Sequence, residues 1–223
     1  LHLDCRRQRQ MCIRDRSSVA AGEVAVLRQI MEGYDLQQLQ YGTSSARPVT
    51  LSFWVKSPKA GTHICELWHF TSPVRTQSQS YTVSSANTWE KHSVTFSGDT
   101  ATALDNDNNY TIAVQWGLFA GTNYTSGTLA TSWQNSGDTN RYVGQQNLFD
   151  NTSNNFYLTG VQLEVGNSAS DFEHRSFGEE LSLCQRYFSK ITSIDVSTYY
   201  ATGGSAPTEN FTYQQTMRAA PTC

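Results

Sequence analysis

Val49-Thr50-Leu51-Ser52-Phe53-Trp54-Val55-Lys56 decides the fold. Val49, Leu51, Phe53 and Val55 alternate with Thr50, Ser52, Trp54 and Lys56, the period of two that sends successive side chains to opposite faces of a strand. Pro58 and Gly61 close the segment with a turn. Working outward, Thr62 to Phe70 reads as a second strand and Gln79 to Ser84 as a third, with Tyr81 and Val83 on one face. Trp89 to Phe96 alternates through Val94 and Phe96 and stops at Gly98-Asp99. Tyr110 to Phe119 offers Ile112, Val114 and Trp116, while Phe156, Leu158, Val161 and Leu163 run up to Gly166. Val24 to Tyr34 is partly helical in spacing but bracketed by Gly22 and Gly33, and it too is read as a strand. Roughly eight short strands near ten residues apart, parted by Gly, Asn and Pro turns, predict an all-β jelly-roll β-sandwich.

Composition agrees. Thr, Ser, Asn, Gln, Gly and Tyr are plentiful, a balance that suits strands and turns better than helices. No stretch approaches the ~20 apolar residues of a membrane span and no signal peptide is visible, so the chain reads as soluble, with no membrane insertion expected. Cys5, Cys12, Cys65, Cys184 and Cys223 are odd in number, with no CxxC pair and no ligand spacing, so neither a disulfide framework nor a zinc site is expected. That usage fits assembly in a reducing cytoplasm.

The interval 120 to 151 is polar and reads as long loops with one or two edge strands, the usual place for binding residues on a rigid sandwich. Phe177 to Lys190 reads as a short helix, with Glu179 and Glu180 at its start and Arg186 and Lys190 near its end as the helix dipole prefers. The expected organisation is therefore 1–16 as a disordered arm, 17–170 as the jelly roll, 171–190 as linker and helix, and 191–223 as a β-rich C-terminal region.

Residues 1 to 16 hold five arginines against two aspartates, which leaves the rest of the chain acidic within an overall charge of −3. Met11-Cys12-Ile13-Arg14-Asp15-Arg16 resembles the translation of a transposase adapter used in sequencing libraries, and Leu1 to Gln10 has no apolar periodicity. The arm is set aside as a reading artefact, and the nucleic-acid patch that its charge would suggest is rejected. The natural ends of the protein are expected to lie beyond both ends of this sequence.

Aromatic side chains can stack on sugar rings, which makes Trp68, Tyr124, Trp133 and Tyr142 the candidate ligand residues, with Trp116 behind them. Filling the core is the favoured reading for Trp54, Trp89 and Trp116, while Trp133 and Tyr142 stand open between core and ligand. Asp105 and Asp107, in the run Asp105-Asn106-Asp107-Asn108-Asn109, carry the hard oxygens that calcium takes but lack the glycine and distant glutamate of an EF-hand; a solvated turn is the favoured reading. Glu32 and Glu164, on the first and last strands of the roll, are the other candidate pair for a structural calcium, a surface position being the favoured reading. No cofactor is expected beyond that. No catalytic residue is expected: Glu179 and Glu180 suit a helix start better than a cleft, and His63, His69 and His92 lack a nucleophile motif.

Several blocks then resemble a known family, the tail-fibre and virion surface proteins of phages, many of them marine or metagenomic. They are Arg28 to Tyr34, Val49 to Ser57, Ala86 to Lys91, Phe156 to Gly166, Phe172 to Phe188, the most specific in sequence, and Thr216 to Pro221. The resemblance implies a jelly roll similar to carbohydrate-binding modules in a non-catalytic virion protein located in the tail. It further implies a homotrimer that meets other virion proteins and a host cell-surface glycan or receptor, and no nucleic acid. It assigns no ligand residues. Competing readings are a carbohydrate-binding module attached to a secreted bacterial polysaccharide-degrading enzyme, and a purely structural connector.

Overall fold

A computed structural model describes residues 18–188 together with the backbone of two short strands, His2–Leu3 and Arg9–Cys12. The chain divides into two compact units, Leu1–Glu173 and His174–Cys223. In the first, β1 (His2–Leu3), β2 (Arg9–Cys12), β3 (Val24–Glu32), β4 (Val49–Lys56), β5 (Gly61–His69), β6 (Arg75–Val83), β7 (Trp89–Phe96), β8 (Tyr110–Ala120), β9 (Gln134–Asn135) and β10 (Asn155–Val165) form two sheets, and the four-residue helix α1 (Thr122–Thr125) follows β8. Sheet I runs β1-β10-β4-β7, with β2 also on the β10 edge, and sheet II runs β3-β8-β5-β6-β9. Every pairing is antiparallel. This interleaved order, each sheet drawing strands from both halves of the chain, is that of a jelly roll.

Parity explains the core. Val49, Leu51, Phe53 and Val55 of β4 face Cys65, Leu67, Tyr81, Val114, Trp116 and Leu118, and all are buried. Trp116 is a core residue as expected. Trp54 and Trp89 are not: both occupy the opposite parity on β4 and β7, the first 40% exposed and the second half-buried, because a strand that sends Phe53 inward must send its neighbour outward. The strand expected at Gln79 begins earlier, at Arg75, where Thr76, Gln77 and Ser78 are polar on both faces and give no alternation to read.

Each sheet has an outer face that is half covered. The strap from Gly166 to Glu173 is tied to the outer side of β10: Ser170 Oγ donates to Glu164, Gln162 Nε2 donates to Ser170 Oγ at 3.1 Å, and the Glu173 N–H donates to Gln162 Oε1 at 2.9 Å. Thr50 and Ser52 are buried at this end. On β10 the register slips between Thr159 and Gln162, a bulge whose Gly160 has φ of 57°. Only glycine takes that conformation at little cost.

Residues 1 to 16, expected to lack structure, carry the backbone of β1 and β2 along β10. The β10 edge beyond β4 would otherwise present unpaired N–H and C=O groups, and an extended segment of almost any sequence can satisfy them. In the second unit the expected helix is α2 (Phe177–Gln185), opened by Ser176, whose Oγ accepts from the Glu179 N–H, with Glu179 and Glu180 in the first turn. The β-rich region expected at 191–223 lies outside the described residues.

Candidate functional site

The outer face of sheet II is where the candidate aromatics meet. Cross-strand register sets Arg28, Gln115, Glu66 and Ser78 in one row over β3, β8, β5 and β6. Glu66 is fully buried there. A lone buried carboxylate is costly unless paired and hydrogen-bonded, and Glu66 is both. Arg141 Nε and Nη2 donate to its two oxygens at 2.9 Å each, the Tyr142 hydroxyl donates at 2.7 Å, Thr76 Oγ1 at 2.5 Å and Gln115 Nε2 at 3.2 Å. Burial works against the Arg141 charge, but the bonds and charge of Glu66 outweigh it and hold the guanidinium above its ordinary pKa. Burial, reinforced by the Glu66 charge, pushes the Tyr142 hydroxyl up as well.

Around this lock the rings converge. The Arg141 guanidinium carbon lies 3.9 Å from the centre of the Trp68 ring, 5.3 Å from Tyr142 and 5.8 Å from Tyr124. Trp68 leads on to Phe70 at 6.5 Å between ring centres, and Phe70 to Tyr110 at 4.9 Å, both edge to face. Arg28 donates to Gln115 Oε1 through Nε and Nη2, and its guanidinium carbon stands 5.7 Å from the Phe70 ring. At this end the face is open: Tyr110 is 58% exposed and Ile30 44%. A shallow depression of about 390 Å³ lies here, lined by Phe70, Thr71, Ser72, Asp105, Asn109 and Tyr110.

Of the expected ligand residues, three gather at Arg141 and one does not. Tyr142 is corrected: with no exposed surface and its hydroxyl bound to Glu66, it holds the cover in place and offers no stacking face. Trp68 and Tyr124 are half-buried around Arg141. Trp133 lies apart, a wedge against the core with its ring 5.9 Å from Tyr41 and 6.2 Å from His69, and Nε1 donating to the Ser97 carbonyl at 2.6 Å.

The Glu32 and Glu164 pair is divided between the two sheets. Glu32 ends β3 in sheet II and Glu164 lies on β10 in sheet I, because the place beside β10 belongs to β1 and β2 and Val24–Glu32 is not the roll's first strand. Asp105 Oδ2 accepts from Thr71 Oγ1, and Asp107 accepts from the N–H and side chain of Asn109, as in a solvated turn. Among the described residues no three of His, Cys, Asp and Glu are grouped as a metal would need.

The histidines face inward. His69 Nδ1 stands 3.4 Å from Asp99, which Arg75 also binds, and His63 stacks on Tyr81 at 5.5 Å. Burial, outweighing the pull of Asp99 and of the Lys59 carbonyl respectively, lowers both pKa values.

Sequence reasoning missed Glu66, Arg141, Phe70 and Tyr110. The readable signal was a charge in mid-strand: Glu66 sits between Cys65 and Leu67, where a strand tolerates a carboxylate only if something answers it.

No family model matches the chain, and no curated protein does. Two solved structures are similar to it. One, described as "CBM4 structure and function", has a TM-score of 0.34 and 9% identity, over 63% of this chain and 60% of that one. The other, described as "Family 16 Carbohydrate Binding Module-2", has a TM-score of 0.29 and 13% identity, over 65% and 72%.

Proposed function

We propose that the domain is a non-catalytic carbohydrate-binding module of a virion tail fibre, and that the open half of the sheet II outer face is its contact with a host-surface glycan. One observation carries this reading: the exposed Tyr110 ring, buttressed by Phe70 and Trp68, borders a depression whose other walls are Thr71, Ser72, Asp105 and Asn109. An aromatic face beside hydroxyl, amide and carboxylate groups matches the two aspects of a sugar, one apolar and one hydrogen-bonding. Arg141, Glu66 and Tyr142 pre-set the platform, which lowers the ordering cost of binding. The tail location rests on the sequence blocks named above.

A glycan-array screen of the full chain against Tyr110→Ala tests it. Binding that the variant loses supports the reading; a folded chain that binds no glycan moves the domain to the connector reading.

A further inference from the structure

The covered and open halves of sheet I's outer face differ in chemistry. Beyond the strap, two rows of outward side chains cross β10, β4 and β7. The pairings Tyr157↔Lys56 and Lys56↔Trp89 put Tyr157, Lys56 and Trp89 in one row, and Thr159↔Trp54 and Trp54↔Lys91 put Thr159, Trp54 and Lys91 in the next. Side chains directly opposite on antiparallel strands share a face about 5 Å apart. The Trp89 and Tyr157 rings lie 6.3 Å between centres, and Lys56 Nζ stands 5.5 Å from the Tyr157 ring centre. Gly160 keeps the ground beside Trp54 low: a Cβ there would stand 3.2 Å from Trp54 Cδ1. Among the described residues neither Lys56 nor Lys91 forms a salt bridge.

We propose that this patch is a second ligand surface, and that it takes an anionic polysaccharide, a polymer of uronic-acid or sulfated sugars. Three rings interleaved with two ammonium groups that no described carboxylate pairs match a chain whose every unit offers an apolar pyranose face and a fixed negative charge. An uncharged glycan would leave the lysines unused. Nucleic acid fits worse, because its binders spread dense positive charge over a whole face, whereas this chain carries −3 overall. The surface is separate from that on sheet II, and its ligand class does not depend on the sheet II reading.

Affinity electrophoresis and calorimetry of the full chain against polygalacturonate, hyaluronate and heparin, with dextran as the neutral control, test the proposal. The expected result is binding to at least one polyanion, weakened by added salt and absent for dextran. Trp54→Ala and Lys91→Glu are each expected to lower that affinity by about tenfold or more, while Tyr110→Ala leaves it unchanged. Both substituted side chains are exposed, and an unchanged near-UV spectrum certifies the fold. No binding to any of the three polyanions overturns the proposal, as does binding that both variants retain. Tighter capture of single-stranded DNA overturns it in favour of a nucleic-acid surface, and a Trp54→Ala change in light-scattering mass, with glycan affinity intact, in favour of a contact between copies of the chain.

Discussion

Both sheets hide one half of their outer face and bare the other, yet they hide it by different means. On sheet II the cover is fastened by a buried ion pair, Glu66 with Arg141, around which Tyr142, Thr76 and Gln115 spend their hydrogen bonds. On sheet I the strap is fastened by the Glu164 carboxylate, which accepts from Ser170 Oγ and N–H, and by the Gln162 amide. A charged lock is expensive to desolvate but intolerant of half-measures, since losing either partner strands the other. The strap's bonds to Glu164 lie at the surface, where water replaces a lost partner, so each contact is given up cheaply. The bared halves follow suit: aromatic with a pocket of polar groups on sheet II, aromatic with lysines that form no salt bridge among the described residues on sheet I.

The largest effect expected is that of Glu66→Ala, which leaves Arg141 buried without its counter-charge and Tyr142 without an acceptor. It should cost about 3–5 kcal/mol in urea unfolding, and a loss below 1 kcal/mol would mean that the lock contributes little. Acid probes the interior between the two faces. His63 and His69 have lowered pKa values, so the unfolded chain binds protons there that the folded chain refuses. Stability should be whole above about pH 6.5 and fall below it, by at most about 1.4 kcal/mol per pH unit for each histidine. Urea midpoints at neutral and mildly acid pH check this, and a flat profile contradicts it. Ser170→Ala tests the strap and should cost about 1 kcal/mol; a loss as large as that of Glu66→Ala would erase the contrast between the covers. Tyr110→Ala, on the bared half of sheet II, should move stability by no more than about 0.5 kcal/mol, measured by the same unfolding, while removing glycan capture.

The strands were legible wherever large apolar side chains alternated with small or polar ones. Leu51, Phe53 and Val55, or Ile112 and Val114, announce themselves by alternation. What alternation could not tell was which parity faced inward when both were apolar or both polar. Trp54 is large and apolar, yet it took the outer side because Phe53 and Val55 had already claimed the core. Arg75 to Ser78 stayed unread because it is polar on both faces, its outer Thr76 answering to Glu66 on the neighbouring strand. The candidate site was legible as a set of aromatics in a polar interval, and Trp68 and Tyr124 do meet. Its organiser was not, because a contact between Glu66 and Arg141 spans 75 residues and leaves no periodic trace.

The bulge at Gly160 works as a phase shifter. Before it, Phe156 and Leu158 point into the core; after it, Val161 and Leu163 do, an odd step that plain alternation forbids. One strand therefore serves two clients, lending Tyr157 to the bared half of the face and Gln162 to the strapped half. From Thr159 to Gln162 β10 takes three steps where β4 takes two, so straightening the bulge with every residue in place would turn either Tyr157 and Thr159 or Gln162 and Glu164 toward the core, whereas deleting Gly160 would leave the two strands step for step. This point of the chain should therefore tolerate loss of its extra residue better than a β-branched replacement at Gly160, which the positive φ opposes.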